Sequence, residues 1–89
     1  MLERTVYPMF DEHGDKSSIT LDKTVADVLQ ARLPDVHAWV QDAYNRVVAK
    51  YPDIGRVKKG DLVRVLAQKE AEKYPEYAKI IDDLIGAYL

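Results

Sequence analysis

No cysteine occurs anywhere in the chain. That absence excludes disulfides, thiolate metal sites and a cysteine nucleophile together, and it fits a reducing compartment. Glycine and proline are sparse, four of each, and Pro52 with Gly55 breaks the chain just before its basic cluster. Long apolar runs are missing as well: nothing approaches the roughly 20 residues that cross a bilayer. The opening MLERTVYPMFDEHGD lacks the basic-then-apolar order of a secretory leader. These absences lead to the expectation of a cytoplasmic protein with no membrane segment. Neither sign of charge dominates, since 13 Lys and Arg stand against 15 Asp and Glu, for a net charge of -2. That balance argues against a globally basic nucleic-acid binder, although charge can be local.

What is present is ordinary globular composition, 47% apolar and 31% charged over 89 residues, enough for one small core and too little for two. The charge is unevenly spread. Residues 1–27 and 74–89 are net acidic, 28–55 are balanced, and 56–73 form the single basic segment, with Arg56, Lys58, Lys59 and Arg64 near its start.

Three X-Pro-acid steps, Leu33-Pro34-Asp35, Tyr51-Pro52-Asp53 and Tyr74-Pro75-Glu76, mark helix boundaries. Proline suits a first helical turn because its missing N–H would be unpaired there, and a neighbouring acid favours the positive helix end. The last segment has the clearest periodicity: Tyr77, Ile80, Ile81, Leu84, Ile85 and Tyr88 form one continuous helical stripe, which must pack on something. A helix is predicted over Asp61–Tyr74, with Asp61 as N-cap, Leu62, Val65, Leu66 and Lys69 on one face, and Val63 and Ala67 widening it. Another runs from about Asp35 to Tyr51, where Val36, Trp39, Val40, Ala43, Val47 and Tyr51 repeat at helical spacing and place Trp39 at the centre of the core. The N-terminal RTVYPMF and SSITL carry β-favouring residues on either side of the turn-rich DEHGDK, which predicts a hairpin with Pro8 on an edge.

Residues 28–33 fit two templates. Val25, Val28, Leu29 and Leu33 make a helical stripe, whereas Leu29, Ala31 and Leu33 alternate with Val28, Gln30 and Arg32 as in a strand. Propensity leans toward helix, with Asp22 or Thr20 as cap, but periodicity leaves both open. The fold class is therefore mainly α, a single domain over 1–89, with a hairpin-like arm over 1–21 and a compact core of three or four helices over 22–89.

If 28–33 is a strand, the order strand, helix, helix over about residues 27–74, with RLP closing the strand and VKKGDLVRVLA opening the second helix, resembles the ribbon-helix-helix repressor family. The resemblance implies a homodimeric DNA-binding transcription regulator whose paired strands lie in the major groove of double-stranded DNA. Carried over residue by residue, Gln30 and Arg32 would read bases, with Val28 a poor third reader. Lys58, Lys59 and Arg64 would contact phosphates around the second helix start. Arg pairs bidentately with guanine and Gln with adenine, and helix N-termini attract anions, so the residue types suit these roles. Three departures count against the match. Lys58 and Gly60 stand where the family has Ser or Thr, the stretch between strand and second helix is longer, and Val28 is a poor base reader; the N-terminal hairpin and last helix lie outside the resemblance. Under the helical template, ITLDKTVADVLQARLPDV instead resembles the opening of small helical domains of unknown function that carry a cysteine at an iron centre. This chain has no cysteine, so no cofactor carries over.

The remaining polar features favour plain structural roles. Asp11, Glu12, His13 and Asp15 lack the ligand register of a calcium loop and suit a solvated hairpin turn. His37 has no carboxylate or nucleophile partner identifiable from the sequence and reads as a surface residue. Asp82 and Asp83 are adjacent on the last helix and form its solvated side. Tyr44, Tyr51, Tyr74, Tyr77 and Tyr88 read as core-edge residues. With no phosphate loop and no Ser-His-Asp order, the chain does not read as an enzyme, and no cofactor or metal is expected. The rival to the DNA-binding reading is a helical protein-interaction module, an accessory or inhibitor protein acting through its amphipathic C-terminal helix. Self-association fits either.

Overall fold

The computed structural model describes residues 3–88. Two strands, β1 (Arg4–Phe10) and β2 (Lys16–Asp22), precede four helices, α1 (Lys23–Arg32), α2 (Val36–Lys50), α3 (Arg56–Glu72) and α4 (Pro75–Tyr88). The expected mainly α domain with an N-terminal hairpin is the architecture found.

β1 and β2 pair antiparallel, from Arg4 opposite Asp22 to Phe10 opposite Lys16. The turn between them is held by the Asp11 carboxylate, which accepts from the His13 and Asp15 amides at 2.9 and 3.0 Å, and by Gly14 at φ 79°. Alternation puts Tyr7, Met9, Ile19 and Leu21 on the inner face, all buried, and leaves Val6 and Phe10 exposed outside. Both sheet edges are blunted. Gln41 donates to the Phe10 carbonyl and accepts from its amide, each at 2.8 Å. On the other edge Arg56 donates to the Ser18 carbonyl at 2.7 Å and Arg64 to the Thr20 carbonyl at 2.9 Å. Free strand edges invite pairing with another chain, and these contacts occupy backbone groups that would otherwise offer it.

The segment with two templates is a helix. α1 buries Val25, Ala26, Val28 and Leu29 on one face, and residues 28–32 contribute no strand. Asp22 precedes it without a side-chain cap. Asp35 does cap α2, its carboxylate accepting from the Ala38 amide at 3.1 Å. α2 turns Val36, Val40, Ala43, Tyr44 and Val47 inward. Trp39 therefore flanks the core rather than centring it, and Tyr44, expected at the edge, is fully buried. Trp39 and Tyr44 both border the Val36–Val40–Ala43–Val47 stripe, so a 3.6-residue period fits either, and the core takes Tyr44.

α3 begins at Arg56, five residues before the expected Asp61. Gly55, extended at φ -67° and ψ 162°, is the cap, and Gly60 lies inside the helix rather than before it. Its core face is Gly60, Val63, Ala67 and Ala71, all small, which lets α3 approach closely. Leu62 and Leu66 only flank the core, and Val65 is 49% exposed. In α4, Tyr77 and Ile80 pack against the core while Leu84, Ile85 and Tyr88 are exposed, so only its first half is seated. The radius of gyration, 13.9 Å, exceeds the roughly 12 Å expected of a compact chain of this length. Among the described residues, no helix is long and apolar enough to cross a membrane.

Candidate functional site

Gln30 and Arg32 sit in the last turn of α1, and each is tied into the chain. The Gln30 amide donates to the Tyr7 hydroxyl at 2.6 Å. Arg32 grips both carboxylate oxygens of Glu76 and lies 5.3 Å from the centre of the Tyr74 ring, clamping α1 to the start of α4. The guanidinium holds the Glu76 carboxyl below its ordinary pKa. Base reading from a ribbon requires extended backbone at these positions, and that arrangement is not formed.

The basic residues at the start of α3 divide by role. Arg64 donates to the Thr20 carbonyl, to the Thr20 hydroxyl at 3.2 Å and to Asp61 at 2.8 Å. Arg56 reaches Ser17 and Ser18 and lies over the Tyr44 ring at 5.1 Å. Gly60 makes room for these two: a Cβ there would stand 3.1 Å from the Arg56 guanidinium. Lys59, rather than being solvated, is buried, with its ammonium 2.8 Å from Glu12. Glu12 in turn accepts from the Tyr44 hydroxyl at 3.0 Å. The Lys59 hydrogen bond lowers the Glu12 pKa, and burial with the Glu12 contact pushes Tyr44 up to about 12. Glu12, expected as a solvated turn residue, is thus the pin that fastens the hairpin tip to α2 and α3. Lys59 and Arg64 serve as braces, and Lys58 alone of the three proposed phosphate contacts is exposed without an ion pair among the described residues.

The unspent surface lies on the other side of α3. There the stripe Leu62, Val65 and Leu66, read from the sequence as a core face, forms an apolar groove with Val47 and Tyr51 of α2 and Ile54 of the connection. Its two adjoining hollows, of about 320 and 370 Å³, share Tyr51, Leu62 and Val65. The rim is cationic. Arg46, Lys50 and Lys69 line one hollow and Lys58 the other, with Asp61 the single acid lining either. Arg46 is paired with Asp42 at 3.0 Å on an exposed helix surface, a contact worth little in water. Lys50 lies 5.7 Å from the Tyr51 ring centre. Among the described residues, no carboxylate lies within ion-pair distance of Lys50, Lys58 or Lys69. Periodicity alone could not find the groove. A usable signal was the second stripe, Gly60, Val63, Ala67 and Ala71, whose small side chains claim the close-packed face of α3.

Neither histidine lines the groove. His37 is exposed with its ring edge-on to Tyr7 at 5.1 Å between centroids, and His13 lies in the hairpin turn. Among the described residues no three His, Asp or Glu converge as metal ligands. No family model, curated protein or solved structure matches this chain.

Proposed function

We propose that the protein is a non-enzymatic interaction module that receives an acidic amphipathic helix in the groove between α2 and α3. The observation that carries this reading is the pairing of an apolar floor, with Tyr51 44% and Val65 49% exposed, with a rim of Arg46, Lys50, Lys58 and Lys69. Helix-in-groove recognition uses apolar anchors at i, i+3, i+4 and i+7 for affinity, and complementary charge at the margin sets orientation and association rate. A cationic margin selects acidic flanks on the incoming helix.

The test is fluorescence anisotropy with a labelled, designed acidic amphipathic helix unrelated in sequence to this chain. Binding that falls at least tenfold in Val65→Glu, with the variant's helical circular dichroism unchanged, is the expected result. Absence of binding at protein concentrations where the chain is monomeric, or binding indifferent to Val65→Glu, would overturn the reading.

A second reading, a DNA-binding regulator, draws on one observation: residues 16–50 run strand, helix, helix as β2, α1 and α2. The ribbon-helix-helix resemblance itself spans residues 27–74, and the strand it requires at 28–33 falls on α1. Against it stand the β2 edge carbonyls of Ser18 and Thr20, which are occupied by Arg56 and Arg64 within the same chain. Duplex binding that weakens steeply with salt would favour this second reading over the groove.

A further inference from the structure

We propose that the helix received in the α2–α3 groove is the distal half of α4 from a second copy of the chain, exchanged reciprocally in a two-fold dimer; the proposal rests on the groove reading above. The second half of α4 meets the groove's requirements. Ile81, Leu84, Ile85 and Tyr88 recur at i, i+3, i+4 and i+7, and the last three are exposed at 40%, 50% and 88%. Asp82 and Asp83 lie beside this stripe, and no basic residue follows Lys79. The segment is therefore an acidic amphipathic helix facing a groove whose rim carries four cations and one acid.

No other described residue of the chain fills the groove. α4 packs its first half on α1 and α3, and no α4 residue lines either hollow. One intermolecular contact would cover Tyr51, Val65, Leu84, Ile85 and Tyr88, five of the eight large apolar residues exposed among those described. Each helix–groove contact alone is small. An isologous dimer makes it twice without any new surface.

The experiment is sedimentation velocity across a concentration series, with two charge-swapped variants whose changed side chains are all exposed. Asp82→Lys/Asp83→Lys makes the helix basic, and Lys50→Glu/Lys69→Glu makes the groove margin acidic. The wild-type chain is expected to reach the mass of two chains. Each variant alone is expected to dissociate at least tenfold more readily, because like charges then face each other at both contacts. Mixing the two variants is expected to restore dimer, since every contact in the mixed pair is again opposite in sign. A wild-type chain that stays monomeric, a dimer indifferent to both swaps, open-ended growth beyond two chains, or a mixture that does not recover would each overturn the proposal. Binding of the unrelated acidic helix to a monomeric wild-type chain would retain the groove reading while removing this occupant; loss of both would remove the reading itself.

Discussion

Replacing Lys59 by methionine keeps the side chain as far as its Cε and removes the charged end. Lys59 is 8% exposed and its ammonium sits 2.8 Å from Glu12, which is 24% exposed. It also donates to the Pro52 carbonyl at 3.3 Å. Removing one partner of a fully buried ion pair costs about 3–5 kcal/mol because the other charge is stranded. Glu12 keeps some access to water and its hydrogen bond from Tyr44, so the cost here is expected nearer about 2 kcal/mol. For a domain of this size that corresponds to a fall in Tm of about 8–16 °C. Urea unfolding followed by circular dichroism measures the free energy, and a double-mutant cycle with Glu12→Gln isolates the pair. The double variant should lose less than the sum of the two singles. A Tm unchanged in Lys59→Met, or additive losses in the cycle, would refute the brace. Duplex DNA affinity gives a further contrast, since a brace predicts lost stability with no specific loss of phosphate contact.

Acid should weaken the same pin: the folded Glu12 pKa is lowered, so its stabilisation is present above the ordinary carboxylate range and is lost as pH falls through the depressed value. Thermal unfolding between pH 7 and pH 3 should thus flatten in Glu12→Gln relative to wild type. Tyr44 has the opposite sign: raised to about 12, it contributes stability that is complete below its ordinary pKa near 10 and is lost as pH rises toward 12, and Tyr44→Phe should remove that alkaline loss. Arg32→Ala should release the start of α4 from α1, seen as faster amide exchange in α4 with little change in α2; unchanged exchange would contradict the clamp. Gly60→Ala would ordinarily gain about 0.5–1 kcal/mol in a helix interior. Here the new methyl meets an Arg56 held by Ser17, Ser18 and Tyr44, so a lower Tm is expected, and a higher one would show that Arg56 can move aside.

Much of the scaffold was legible because local chemistry announced it. Pro34, Pro52 and Pro75 fell where helices begin or end, and the β-favouring runs around DEHGDK paired as a hairpin. Residues 28–33 stayed ambiguous because an apolar residue at every second or third position satisfies both periods. The decision came from α1 packing on α3 and the hairpin, which no local window contains. Asp61 misled for a related reason: an acid before an apolar run reads as a cap, yet α3 begins at Arg56, and Gly60 inside it gives space to two arginines. The pin of Glu12 on Lys59 joins residues 47 apart in sequence, so no spacing rule could propose it. The groove was hidden because periodicity identifies a face and not its depth, and α3 carries two apolar faces of which the smaller-residue one was taken by the core.

The most direct test of the groove is a nuclear magnetic resonance titration of the labelled protein with the designed acidic helix. Shift changes clustered at Val47, Tyr51, Leu62, Val65 and Leu66, with the hairpin residues Ser18 and Thr20 unmoved, are the predicted result. Changes confined to the hairpin, or none at the groove at saturating peptide, would contradict it.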